Sequence, residues 1–82
     1  MQYKPKGVCS SLIDIELDGD KIKSVAFTGG CNGNLQGISK LVSGMNVKDA
    51  IEKLKGIHCG FKNTSCPDQL ATALEQMQHE NN

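Results

Sequence analysis

The sequence predicts an α+β domain, in which a small antiparallel sheet of two or three strands is followed by three helices packed on one face of the sheet. The first third of the chain alternates apolar and polar side chains with a period of two, and the rest carries apolar stripes of helical period. Strands that precede helices in this way are typical of α+β layers. A length of 82 residues holds one domain, which we place at residues 1–82.

The strands follow from the alternation. Residues 11–17 alternate apolar with acidic side chains, as a half-buried strand does. The polar segment 18–20 contains a glycine and predicts a turn. Residues 21–28 predict the return strand, and because their apolar spacing breaks parity once, a bulge or an early edge is expected there. Residues 2–9 add a third strand, which Pro5 confines to an edge.

The first two helices are predicted from their stripes and caps. The first stripe consists of Leu35, Ile38, Leu41 and Val42. Gly44 is a natural stop after it. Asn46 is the predicted N-cap of the second helix, with Asp49 at capping-box spacing, and Gly56 ends that helix. The buried face of the second helix is expected to be Val47, Ala50, Ile51 and Leu54.

The third helix begins with a second capping box. Ser65 and Asp68 have the required spacing, and Pro67 lies in the first turn. The buried stripe of this helix is expected to be Leu70, Leu74 and Met77. Residues 79–82 are expected to fray.

Composition excludes several classes of function. Nine Lys and no Arg are balanced by nine acidic residues, so the chain lacks the basic surface that nucleic-acid binding needs. No stretch is long and apolar enough to span a membrane, and residues 1–6 lack the apolar segment of a signal peptide. These features predict a cytoplasmic protein, in which thiols stay reduced and clustered cysteines bind metals or react.

The four cysteines, Cys9, Cys31, Cys59 and Cys66, all fall outside the apolar stripes. Cys9 precedes a strand, Cys31 lies in the glycine-rich loop 28–34, Cys59 lies in the loop after the second helix, and Cys66 starts the third helix. Because a hairpin returns the second strand to the end where the first began, Cys9 and Cys31 are expected at the same end of the sheet. Convergence of such loops predicts one four-thiolate site.

Thiolates are the ligands of zinc and of iron–sulfur clusters. Without a C-x-x-C pair, the prediction rests on placement rather than on a motif. His58 is a candidate additional ligand, a hydrogen-bond partner of a ligand or a proton relay, or else a surface residue. Buried structural cysteines, two disulfides and an anion cradle at residues 29–33 are the alternatives left open.

Residues 64–68 spell TSCPD, and together with Gly30–Asn34 and the Cys59–Gly60 pair they resemble the TSCPD domain family. The resemblance covers nearly the whole chain. Domains of this family occur alone and at the C-terminus of adenosylcobalamin-dependent ribonucleotide reductases. The resemblance implies a four-cysteine, metal-binding module associated with ribonucleoside-diphosphate reductase and deoxyribonucleotide synthesis. Because four thiolates close a tetrahedral shell, as in structural zinc sites, zinc is the expected metal.

A fainter similarity is to the U-type iron–sulfur cluster scaffold proteins. Cys9, Cys31 and the His58–Cys59 step match the scaffold pattern, whereas Ser10–Ser11 replaces its Gly-Asp, and Cys66 has no counterpart. This similarity implies a scaffold-like fold, and an iron–sulfur cluster as the alternative cofactor.

Three hypotheses for function follow. The first is a zinc-binding accessory module whose partner is a ribonucleotide reductase catalytic subunit, because 82 residues cannot enclose a radical generator and a nucleotide pocket. The second is an iron–sulfur scaffold or carrier. The third is an enzyme in its own right, in which Cys59 and Cys66 act as a thiol relay when no metal binds them. The oligomeric state stays open, and a dimer is compatible with so small a core.

Overall fold

The computed structural model describes residues 1–30 and 32–81, so Cys31 and Asn82 lie outside the described residues. Three strands precede three helices, as the sequence predicts. The elements are β1 (Gln2–Tyr3), β2 (Ser10–Asp18), β3 (Lys21–Gly29), α1 (Asn32–Val42), α2 (Val47–Leu54) and α3 (Cys66–Asn81). The predicted α+β architecture is therefore confirmed.

The sheet is antiparallel throughout, with strand order β1-β2-β3. The hairpin turns at Gly19, whose φ of +63° suits a residue without a Cβ. The register between β2 and β3 shifts twice, between Ser10 and Leu12 and between Glu16 and Leu17. The second shift lies opposite residues 22–24 and confirms the predicted bulge, whereas nothing in the alternation predicted the first.

The predicted third strand is much shorter than residues 2–9, because only Gln2 and Tyr3 pair with β2. Pro5 has no amide N–H to donate to a sheet, and Gly7 adopts a φ of +73° that no strand residue has. The Lys6 N–H bonds instead to the Gln69 side chain at 3.0 Å. The segment thus leaves the sheet and passes over α3.

The face of the sheet that carries Ile13, Ile15 and Ile22 is covered by the helices. The cluster on this face includes Val42, Val47, Ala50, Leu70, Ala73, Leu74 and Met77. All three helices therefore contribute to one core, and the expected stripe of α3 is buried as predicted.

One member of the predicted α1 stripe is wrong. Leu41 is 77% exposed, whereas Leu35 and Val42 are buried and Ile38 is half-buried. At about 100° of rotation per residue, Leu41 lies roughly 120° from Leu35 around the helix, and Val42 lies only about 20° away. The apolar stripe thus excludes Leu41.

The capping boxes are only half formed. Asn46 caps α2, but its side chain accepts from the Lys48 N–H at 3.0 Å, and Asp49 takes no part. Ser65 caps α3 by accepting from the Asp68 N–H at 3.2 Å, while the Asp68 carboxylate turns elsewhere. Helix α3 extends to Asn81, so residues 79–81, where fraying is expected, lie within the helix.

None of the helices in the described part of the chain combines the length and apolar character needed to cross a membrane.

Candidate functional site

Three of the four predicted ligands can be placed. Cys9 directly precedes β2, Cys59 lies in the loop between α2 and α3, and Cys66 is the first residue of α3, all as predicted. Cys31 falls outside the described residues.

Cys9, Cys59 and Cys66 come together although they are far apart in sequence. All three line one small cavity of about 30 Å³, together with Val8, Lys62 and Ser65. The sulfur atoms of Cys9 and Cys66 are 4.0 Å apart. The three cysteines that the structure describes form no disulfide. The fold therefore gathers the thiols that the sequence placed only in separate loops.

The thiols differ in exposure and in support. Cys9 and Cys59 are exposed, whereas Cys66 is buried. The Cys66 sulfur lies 3.1 Å from the hydroxyl oxygen of Ser10, which is itself only 3% exposed. A buried hydroxyl at hydrogen-bonding distance fixes the position of this sulfur and interacts favourably with a thiolate.

Sequence reasoning missed Ser10. Strict alternation would place position 10 on the same face as Asp14 and Glu16, away from the buried Ile13 and Ile15. The register shift between Ser10 and Leu12 adds a residue to β2 and resets the alternation. The only available signal was the adjacency of Ser10 to Cys9, and that does not indicate the direction of the side chain.

The backbone at Gly30 approaches Cys9 closely. A Cβ at Gly30 would lie 3.0 Å from the Cys9 sulfur and 2.9 Å from a Leu35 methyl carbon, and the φ of Gly30 is +77°. A side chain here would collide with both neighbours and strain the backbone. The residue before Cys31 is thus a glycine because the loop passes directly over Cys9.

Other residues of the TSCPD segment form hydrogen bonds to the loop that carries Cys59. We call these contacts the helix-start network, formed by Thr64, Ser65 and Asp68 with the loop backbone at Gly56 and Ile57. The Gly56 N–H and the Thr64 hydroxyl donate to the two Asp68 carboxylate oxygens, at 2.7 and 2.5 Å. The Ser65 hydroxyl donates to the Ile57 carbonyl at 2.5 Å. These bonds fix both ends of the loop against α3.

The loop is also closed within itself, because the Cys59 N–H donates to the Thr64 carbonyl at 3.2 Å. This bond holds Cys59 on the side of the loop that faces the start of α3. Gln69 extends the network to the N-terminal segment by donating to the Thr64 hydroxyl at 3.0 Å and accepting from the Tyr3 hydroxyl at 3.3 Å.

The hydrogen bonds of the helix-start network change the pKa of Asp68. Its pKa lies below the ordinary carboxyl value, chiefly because the Thr64 hydroxyl donates to the carboxylate and also because the Gly56 N–H does so. Positive charge from Lys55 and His58 lowers this pKa further. Asp68 is therefore an ionised structural anchor and not a proton donor at neutral pH.

His58 does not line the cavity. Its side chain is exposed and is not among the lining residues. Within residues 1–30 and 32–81, no three His, Cys, Asp or Glu side chains are close enough together to hold a metal ion. The described part of the site thus consists of a close Cys9–Cys66 pair, with Cys59 at the rim of the same cavity.

Fold and site define a small α+β domain with a thiol-lined cavity at the start of its last helix. The family model of the TSCPD domain matches residues 1–78. The chain therefore belongs to the TSCPD domain family, as its motifs indicate. No curated protein and no solved structure was found to match it.

Proposed function

We propose that this chain is a metal-binding TSCPD module in which Cys9, Cys31, Cys59 and Cys66 hold one zinc ion. The observation that carries the proposal is the cavity that Cys9, Cys59 and Cys66 share, although 57 residues separate the first from the last. Packing alone does not require three loop cysteines to line one cavity.

The separation of the Cys9 and Cys66 sulfurs and the donor chemistry both suit zinc. Four sulfurs arranged tetrahedrally at about 2.3 Å from zinc are about 3.8 Å from one another, and the Cys9 and Cys66 sulfurs are 4.0 Å apart. Among the described residues, the cavity lining contains thiols and no carboxylate, which favours a soft metal over calcium or magnesium. Lys62 also lines the cavity, where its cationic side chain would offset the net charge of about −2 of a zinc tetrathiolate.

The proposed role of the ion is structural, since four thiolates leave no open coordination position for a substrate. It would link the start of β2, the Cys59 loop and the start of α3, segments that otherwise depend on a small core. The cavity that the three described cysteines line, at about 30 Å³, is also far smaller than the roughly 300–1,000 Å³ of a typical ligand pocket. We therefore propose an accessory module that acts with a ribonucleotide reductase catalytic subunit, an association that the family resemblance implies.

Elemental analysis of protein purified without chelator tests the metal. We expect one zinc per chain and a lower melting temperature after chelator treatment. Each Cys→Ser variant should bind zinc about 100-fold more weakly or worse. Loss of a residue that hydrogen-bonds to a ligand already weakens metal binding about 10- to 100-fold, and loss of the ligand itself should weaken it more. The variant His58→Ala should keep its zinc. Metal-free protein that takes up no zinc would contradict the proposal, and stoichiometric iron and sulfide with visible absorption would replace it with an iron–sulfur cluster.

A reductase assay tests the association. An adenosylcobalamin-dependent catalytic subunit that lacks its own TSCPD domain is assayed with and without this chain. We expect stimulation of the subunit by the chain and no turnover by the chain alone. Turnover by the isolated chain would show that it is an enzyme in its own right, and absence of any effect would remove the accessory role while leaving the zinc site standing.

A further inference from the structure

We propose that, in the metal-free protein, Cys9 and Cys66 are a redox-active dithiol that closes to an intramolecular disulfide. Their sulfur atoms are 4.0 Å apart, and a disulfide bond is about 2.05 Å long, so the sulfurs must approach by about 2 Å. Both sulfurs also line the same small cavity. The inference does not depend on zinc binding, because it concerns the thiols themselves.

Each sulfur is held in place by a different part of the fold. Cys66 begins α3, and the buried Ser10 hydroxyl lies 3.1 Å from its sulfur. The Cys9 sulfur lies against the backbone of Gly30, where it would be 3.0 Å from an added Cβ. Because Ser10 directly follows Cys9, the contact between Ser10 and Cys66 also keeps Cys9 beside its partner. The pair is thus positioned by a buried hydrogen bond and not by chance proximity.

The difference in exposure assigns the two thiols different steps. The thiolate of exposed Cys9 attacks one sulfur of a low-molecular-weight disulfide such as glutathione disulfide, forming a mixed disulfide and releasing one glutathione thiolate. Buried Cys66 then loses its proton to solvent, and its thiolate attacks the Cys9 sulfur, releasing the second glutathione thiolate. The protein is oxidised by two electrons, and one glutathione disulfide is reduced to two glutathione molecules.

Cys59 is less well placed to form a disulfide with Cys9 or Cys66 than these two are with each other. It lines the same cavity, but its loop is held by the bond between the Cys59 N–H and the Thr64 carbonyl. Within the part of the chain that the structure describes, no hydrogen bond joins its sulfur to that of Cys66. The proposal therefore assigns the disulfide to Cys9 and Cys66, and leaves Cys59 as a thiol.

The sequence makes the disulfide easy to map. Trypsin cleaves after lysine and so places each cysteine in its own peptide, residues 7–21, 24–40, 56–62 and 63–82. Reduced, chelator-treated protein is incubated in a glutathione redox buffer, alkylated, digested and analysed by mass spectrometry. We expect peptide 7–21 linked to peptide 63–82 as the main product, with peptide 56–62 alkylated.

The adjacent residues Ser10 and Ser11 allow a matched test of whether the Ser10 hydroxyl positions the Cys66 sulfur. Ser10→Ala removes the hydroxyl beside the Cys66 sulfur, and should slow closure of the Cys9 mixed disulfide about tenfold, the factor that one hydrogen bond of about 1.4 kcal/mol represents. Ser11→Ala is the control, because the exposed Ser11 hydroxyl bonds only to the Thr28 carbonyl. Cys9→Ser and Cys66→Ser should abolish the linked peptide, with circular dichroism confirming that each variant is folded.

Several outcomes would overturn the proposal. They are a main disulfide that includes peptide 24–40 or 56–62, stable mixed disulfides with glutathione that never close, or equal closure rates for Ser10→Ala and Ser11→Ala. Zinc content is measured on a separate sample. Protein that binds no zinc but forms the Cys9–Cys66 disulfide refutes only the metal proposal, and protein that binds zinc but forms no such disulfide after chelation refutes only this one.

Discussion

Asp68 anchors the helix-start network, and its replacement by alanine is the sharpest test of that network. The change removes both carboxylate oxygens. One accepts a hydrogen bond from the Gly56 N–H at 2.7 Å, and the other accepts one from the Thr64 hydroxyl at 2.5 Å. A hydrogen bond to a charged group contributes about 1.5–3 kcal/mol. Asp68 is only half-buried, so solvent screening favours the low end for each bond, and the freed donors can reach water.

We therefore expect Asp68→Ala to lower the free energy of unfolding by about 2–3 kcal/mol, including a small loss of charge at the start of α3. Asp68→Asn keeps an acceptor for Gly56 and should cost only about 1 kcal/mol. The chain offers a matched control in Asp49. It is the third residue of α2 as Asp68 is of α3, but its carboxylate has no recorded hydrogen bond, so Asp49→Ala should cost about 0.5 kcal/mol.

The dependence on pH has a definite sign. The pKa of Asp68 is lowered in the folded state, mainly by the Thr64 hydroxyl, so the folded protein binds this proton less readily than the unfolded chain does. The contribution of Asp68 is therefore complete above the unfolded value of about 3.9, and is lost as the pH falls through the lower folded pKa. The stability difference between the wild-type protein and Asp68→Asn should be constant from pH 7 to about 5 and should shrink below about 4.

Urea unfolding followed by far-ultraviolet circular dichroism measures these differences, since the chain has no tryptophan to report by fluorescence. Exchange of the Gly56 amide provides a local readout and should lose protection in Asp68→Ala but not in Asp49→Ala. Equal costs for Asp68→Ala and Asp49→Ala, or an Asp68→Asn difference that stays constant down to pH 2, would refute the reasoning.

Three further stability changes are expected from the same measurement. Gly30→Ala should cost at least about 1–2 kcal/mol from its positive φ alone, and more from the collision with Cys9, so a neutral effect would contradict the packing described. Leu70→Ala should cost about 2–5 kcal/mol because Leu70 is fully buried, whereas Leu41→Ala, at 77% exposure, should stay within about 0.5 kcal/mol. Asn46→Ala should cost about 1 kcal/mol through loss of the α2 cap, and preserved stability would show that the cap contributes nothing.

The period of the sequence predicted the elements well, because each strand and helix buries one face. It was wrong where a single residue departs from the period. Helical rotation excludes Leu41 from the stripe, and Pro5 and Gly7 have backbones that do not fit the predicted third strand. Both errors were avoidable from local rules. The register shift that turns Ser10 inward was not, because it depends on pairing with β3.

Placement in loops predicts that the cysteines converge, and Cys9, Cys59 and Cys66 do line one cavity. The hairpin argument concerned only Cys9 and Cys31. The proximity of Cys9 to Cys66 joins positions 57 residues apart and depends on how α3 packs across the sheet. No sequence pattern encodes that crossing.

The residues of the TSCPD segment have two different roles, which the sequence motif does not distinguish. The cysteine supplies a sulfur to the cavity, while Thr64, Ser65 and Asp68 bind the loop that carries another cysteine. A change in those three residues would thus alter the position of Cys59 without touching any thiol. Loss of zinc affinity or an altered disulfide pattern in Asp68→Ala, with all four cysteines intact, is accordingly expected if the network positions the site as well as stabilising the fold.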